Sequence, residues 1–199
     1  MGDVVNEQIK KIIDKINDLE DELRTLLYEQ QTQFSYKIAG KRVEFEKSIR
    51  EAHKKLKTSW FYWLITFSPK HLLSGPFIYG LVIPLVIFDI GLSSYQSICF
   101  RLYGISRVKR SDHFIYDHQH LAYLNFFEKL NCLYCSYASG LINYAREIAS
   151  RTEQYWCPIK HAHTLLDVHQ RYGNFLDYGD AENYQKNIEQ IRKDLQNEK

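Results

Sequence analysis

Residues 77–88 read FIYGLVIPLVIF. They are the densest part of an apolar run bounded by Lys70 and Arg101, in which Asp89 is the single charged side chain. A buried helix of a soluble protein rarely runs this long without charge. The stretch from Leu72 to Leu92 is long enough to cross a hydrocarbon layer about 30 Å thick. The run therefore points to a helical chain embedded in a lipid bilayer. Pro84 lies near its middle and removes a backbone donor, which kinks a helix. A bilayer tolerates this where neighbours satisfy the freed carbonyl. Two arrangements follow: a single span, or a re-entrant or monotopic hairpin that enters and leaves on one side. Asp89 is a carboxylate at an apolar position. Ionisable groups at depth mark function by default, yet it could equally sit at the interface, pair with a basic residue or be protonated.

The flanks favour the hairpin. Lys54, Lys55, Lys57 and Lys70 precede the run, and Arg101, Arg107, Lys109 and Arg110 follow it. The positive-inside rule places both groups in the cytoplasm, which one crossing cannot satisfy. Two spans starting at Trp60 would satisfy it but would bury Lys70. The lysines lead into Trp60, Phe61, Tyr62 and Trp63, a lysine-then-aromatic order suited to the membrane interface. The lipid bilayer, with its anionic headgroups, is the expected partner of these clusters.

Further toward the N-terminus, Ile9, Ile12, Ile16, Leu19, Leu23 and Leu26 alternate steps of three and four. This is the seam of a coiled coil, and Glu and Lys fill the other faces. The seam either folds back on its own chain, or pairs with a partner helix or in a parallel homodimer through residues 9–26. After Gly40, the positions Phe45, Ile49, Ala52 and Leu56 predict a second helix, the return arm of a helical hairpin.

Beyond Arg110 the apolar positions Leu121, Leu124, Phe127, Leu130 and Tyr134 predict one helix. Leu141 to Tyr155 predicts another, with Gly140 bending or separating the two. Pro158 stops the second. A third helix is expected from about Thr164 to Tyr172, and a polar, solvated helix over Ala181–Lys199. No strand pattern is evident. The expected fold is all-α, with a coiled-coil arm over 1–58, a membrane-embedded segment over 59–110, a helical domain over 111–180 and a polar tail over 181–199.

The chemistry-bearing residues fall in the helical domain. Cys132-Leu133-Tyr134-Cys135 is answered by Cys157-Pro158-Ile159-Lys160-His161. Thiolate and imidazole at such spacing suit zinc, four of them closing a tetrahedral shell. The set Cys132, Cys135, Cys157 and His161 predicts a structural zinc site that clips helices together. Glu128, His120, Glu147 and His163 stand as further ligands or as groups that orient them. An iron or iron–sulfur centre is the alternative metal reading. Cysteines that merely pack are the reading without a metal. Clustered cysteines favour reduced thiolates, hence a domain facing the cytoplasm.

The stretch HLAYLNFFEKLNCLYCSYASGLINYAREIASRTEQYWCPIKHAH, together with the preceding GPFIYGLVIPLVIFDIGLSSYQSICFRLYGI, resembles a group of uncharacterised bacterial membrane proteins. The shared pattern is Cys-x-x-Cys followed by Trp-Cys-Pro-Ile-Lys-His, over about the middle half of the chain. The resemblance implies membrane association and a bacterial inner-membrane setting. It brings no assigned activity, so no catalytic residue is carried over.

The 199-residue chain has a formal charge of +2, too small to argue for nucleic acid. Met1–Lys11 lacks the apolar core of a signal peptide. No Gly-rich phosphate loop, Gly-x-Ser-x-Gly turn or His-Glu-x-x-His occurs. The sequence names no reaction. It predicts a membrane-attached scaffold or interaction protein held by zinc, with a membrane redox protein using iron as the alternative.

Overall fold

The computed structural model describes residues 2–33, 36–39, 42–45, 47–57, 59, 69–163, 165 and 168–198. Among the described residues the fold is all-α apart from one short hairpin. The chain divides into two compact units: Met1–Trp60 with Asp117–Phe126, and Phe61–Tyr116 with Phe127–Lys199. The apolar segment and most of the cysteine-bearing region thus belong to one unit, where the sequence suggested two domains.

In the first unit the N-terminal helix runs from Gly2 to Gln33 without a break. The seam residues Ile12, Ile16, Leu19, Leu23 and Leu26 are all at least half exposed. The helical return arm expected right after Gly40 is replaced at its start by a β-hairpin. Strand β1 (Tyr36–Ala39) pairs antiparallel with β2 (Arg42–Phe45). The reason is a period of two. The register sets Tyr36 against Phe45, Lys37 against Glu44, Ile38 against Val43 and Ala39 against Arg42, an alternation of residue types that matches the strand period. Two residues separate the strands in sequence. The helix begins only at Lys47 and ends at Lys55. Its His53 ring stands edge-on between Phe45 and Tyr123, with both centroids at 5.4 Å.

The second unit is built on an apolar rod. Helix Pro69–Gly80 passes through a turn at Leu81 into helix Val82–Tyr95, then a π-turn at Gln96–Phe100 and a last helical turn to Tyr103. The hairpin expected around Pro84 does not form. Pro84 lies in the first turn of Val82–Tyr95, where a missing N–H costs little, and the ladder yields by a single residue at Leu81. Gly104, at φ +69°, ends the rod. The Ile105 N–H donates to the Phe100 carbonyl at 2.8 Å and the Gly104 N–H to that of Arg101 at 3.4 Å, which is a Schellman closure. The chain then turns back along the rod.

The long helix Phe126–Trp156 is continuous. The break expected at Gly140 is absent. Gly140 serves close approach instead: a Cβ there would lie 3.0 Å from the His113 carbonyl oxygen and 3.0 Å from the Phe114 ring. The missing side chain admits the returning segment. The expected third helix is reduced to a 3₁₀ turn at Gln170–Asn174, and part of that expectation falls outside the described residues. The tail is not merely solvated. Helix Ala181–Asn197 buries Ile188 and Leu195, and Leu195 joins the core of Phe100, Ile105, Val108, Leu141, Tyr144 and Ile148.

Candidate functional site

The rod and the long helix lie side by side and run in the same direction. Tyr79 donates its hydroxyl to Asn131, and Tyr134 donates to the Ile78 carbonyl at 2.8 Å. Further on, Tyr137 reaches Asp89, Gln96 reaches Tyr144, and Tyr103 stacks on Tyr155 at 4.8 Å. Partners climb together along both helices. A parallel pair needs a chain that travels back, and residues 104–116 supply it.

The facing stripe of the rod carries its polar groups. Asp89 and Arg110 form a bidentate pair, one contact being Nη2 to Oδ2 at 2.9 Å. The Tyr137 hydroxyl donates to Asp89 Oδ2 at 3.0 Å, and the Ser93 hydroxyl donates to Oδ1 at 3.3 Å. Every carboxylate lone-pair direction that faces the protein is thereby used. The Arg110 guanidinium also lies 4.4 Å from the Phe114 ring centroid and 5.3 Å from that of Tyr144. Its bonds to Asp89 hold it further above the ordinary guanidinium value, so it stays charged.

About two turns beyond Asp89, Gln96 is buried. Its amide donates to the Tyr144 hydroxyl, and its carbonyl accepts the Val108 N–H at 3.0 Å. The π-turn begins at this residue. Such a turn shifts the helix face by one residue where a side chain must be re-aimed. The Tyr95 and Thr152 hydroxyls meet at 3.0 Å beside it. Asp89, Ser93 and Gln96 thus form a polar seam on an otherwise apolar rod.

The other side of the rod has the opposite character. Leu73, Phe77, Ile83, Ile87, Ile90, Ile98 and Leu102 are each more than half exposed. The segment Leu73–Tyr103 is the one helix among the described residues long and apolar enough to cross a membrane, and its most apolar window is not enclosed by protein. Pro84 is exposed on this surface. Trp60 and Trp63 lie outside the described residues.

A second cluster fixes the far end of the long helix. Glu147 Oε1 accepts from Arg151 Nε at 2.8 Å and from Arg171 Nη2 at 3.1 Å. Arg171 also donates to the buried Gln154 at 3.0 Å and to Glu198 at 2.6 Å. Burial pushes the Glu147 carboxyl up, but Arg151 and Arg171 together pull it below its ordinary range.

The expected metal ligands do not converge. Cys132 is half-buried, and Cys135 and Cys157 are exposed. Cys132 and Cys135 sit in the first half of the long helix, and Cys157 follows its last residue. At a rise of 1.5 Å per residue, Cys135 and Cys157 are about 33 Å apart. His161 is exposed and stacks on Tyr172 at 6.4 Å, with its backbone N–H on the Tyr172 hydroxyl at 2.7 Å. His163 and His120 are exposed, Glu128 is half-buried, and Glu147 is engaged by arginines. Among the described residues, no three His, Cys, Asp or Glu side chains come together as a metal would require. The same separation applies to iron.

Sequence reading singled out Asp89 but not Arg110, Tyr137, Gln96 or Tyr144. Arg110 looked like one of several flanking cations, and a pairing across 21 residues leaves no periodic signal. Gln96, a lone amide inside an apolar run, was the available clue. Comparison with family models, with curated proteins and with solved structures returns no match.

Proposed function

We propose that this protein is a membrane-attached interaction protein, with the rod as its anchor and the N-terminal helix as its binding arm. The observation that carries this reading is the inverted polarity of the rod. Its carboxylate and amide face protein, while Leu73, Phe77, Ile83, Ile87, Ile90, Ile98 and Leu102 face outward. In water this order is costly, because apolar surface is left wet. Against acyl chains it is the favourable one. Exposed Lys70, Arg101, Arg107 and Lys109 at the ends of the rod and in the return segment suit anionic headgroups.

The N-terminal helix supports the interaction role. Its exposed Ile and Leu seam has the heptad spacing of a pairing helix, and a second copy is the simplest partner. Zinc does not enter this reading, because the thiolates that would hold it are spread along one helix.

Flotation of the full chain with vesicles of phosphatidylcholine and phosphatidylglycerol tests the anchor. The parent chain floats with the lipid, whereas Ile83→Glu with Ile87→Glu, placed on the outward face, stays in the dense fraction. A parent chain that does not float overturns the proposal.

A further inference from the structure

The company the rod keeps along its length bears on how it meets the bilayer. We infer that the rod lies along the membrane plane within one leaflet, with the long helix and the return segment that cover its polar seam on the aqueous side, rather than crossing upright. The inference rests on the membrane anchor proposed above and specifies its geometry.

The argument is one of levels. Asn131 is level with Tyr79, which puts the half-buried Glu128 and Lys129 about one turn further back, near Pro76. Arg110 is level with Asp89, and exposed Lys109 and Asp112 flank it in the chain. Tyr144 is level with Gln96, which puts exposed Arg146 near Ile98, and the rod itself carries exposed Arg101. Lys70 stands exposed at the beginning. Charged rungs therefore recur at about positions 70, 76, 89 and 98–101 of the rod. The widest gap, between 76 and 89, is about 20 Å at 1.5 Å per residue. The hydrocarbon core of a bilayer is about 30 Å thick. No upright placement fits that thickness between two rungs, so every one would enclose charged groups of the long helix or the return segment.

Lying flat removes the conflict. The long helix and the return segment contact the rod along the stripe of Tyr79, Asp89, Gln96 and Tyr103. With those two segments on the aqueous side, all the rungs stay there together. The outward Phe77, Ile83, Ile87, Ile90 and Ile98 enter the acyl region of the near leaflet. Lys70 and Arg101 then sit at the same interface, at opposite ends of one in-plane helix. The basic flanks on both sides of the apolar run are thereby reconciled without a hairpin.

The test adds purified full-length chain to preformed vesicles of phosphatidylcholine and phosphatidylglycerol. Single cysteines replace Lys70 or Arg107 in a background whose four native cysteines are serine, and a membrane-impermeant maleimide is added outside. Both sites react to completion if the rod lies flat. In vesicles that float with bound protein, protection of one site overturns the inference while leaving the anchor intact. Absence of flotation overturns the anchor itself. Oriented solid-state NMR of the otherwise unmodified chain carrying 15N-valine, in which Val82 and Val86 report the rod alone, gives a second reading, free of the serine background. A rod axis in the membrane plane supports the inference. A rod axis along the normal overturns it.

Discussion

Asp89 and Arg110 close a two-pronged ion pair on the protein-facing side of a helix that is otherwise charge-free from Ser74 to Phe100. The Asp89 side chain is 14% exposed, so its charge depends on the protein for solvation. Arg110→Met strands that charge and is expected to cost roughly 2–4 kcal/mol. Asp89→Asn with Arg110→Met removes both charges and recovers part of the loss. Denaturant unfolding in mild detergent, read as a double-mutant cycle, measures the coupling. A coupling near zero would show that the pair does not hold the return segment to the rod.

Gly140 makes a prediction in which two effects oppose each other. Helix propensity alone favours alanine over glycine by about 1 kcal/mol. The returning backbone, 3.0 Å from the site of a Cβ, opposes it. Neither the His113 carbonyl nor the Phe114 backbone is a flexible side-chain end that can swing away. Gly140→Ala is therefore expected to destabilise by about 1–3 kcal/mol. Ser139→Ala, next to it and exposed, is expected to change stability by less than about 0.5 kcal/mol. Paired thermal melts decide the matter, and a stabilising Gly140→Ala would mean that the return segment does not approach this closely.

These two sites show what the sequence could carry. The helices were legible because apolar period and length are local properties: the rod, the N-terminal seam and the existence of helix on both sides of Gly140 could be read directly. Gly140 itself was misread, since a glycine that ends a helix and a glycine that admits a neighbouring backbone look alike in one dimension. Tyr36–Phe45 was missed as a hairpin because four-residue strands offer only two alternations each. The cysteine spacing resembled a metal motif, yet it holds one only if the chain folds between Cys135 and Cys157. Nothing in Ser136–Trp156 compels that fold, and the helix runs through.

Glu147 gives a pH dependence with a definite sign. Its carboxyl lies below the ordinary value in the folded chain, because Arg151 and Arg171 outweigh its burial. A depressed folded value means a contribution to stability that is fully present above about pH 4.5, the unfolded reference. That contribution is lost as the pH falls below that reference and through the folded value. Glu147→Gln is expected to lower stability by roughly 1.5–3 kcal/mol at neutral pH. The difference from the parent should shrink as the pH falls below about 4.5. Unfolding curves for both chains across that range test it, and a constant difference would remove the arginine cluster as the cause.

The cysteines give the last prediction. A structural zinc bound by Cys132, Cys135, Cys157 and His161 would be worth on the order of 10 kcal/mol of folding energy, so the loss of any one thiolate would be felt globally. The long helix instead holds Cys135 and Cys157 about 33 Å apart, and Cys157 N–H completes the helical ladder to the Glu153 carbonyl at 2.8 Å. Cys132→Ser and Cys157→Ser are accordingly expected to unfold within about 1 kcal/mol of the parent. Metal analysis of the purified chain, before and after a chelator, is expected to find no zinc whose removal shifts the melting midpoint. One tightly held zinc per chain, lost in both variants, would require the helix to fold back on itself. Gly140 is then where it would have to break, and the packing of Phe114 against that residue would have to be abandoned.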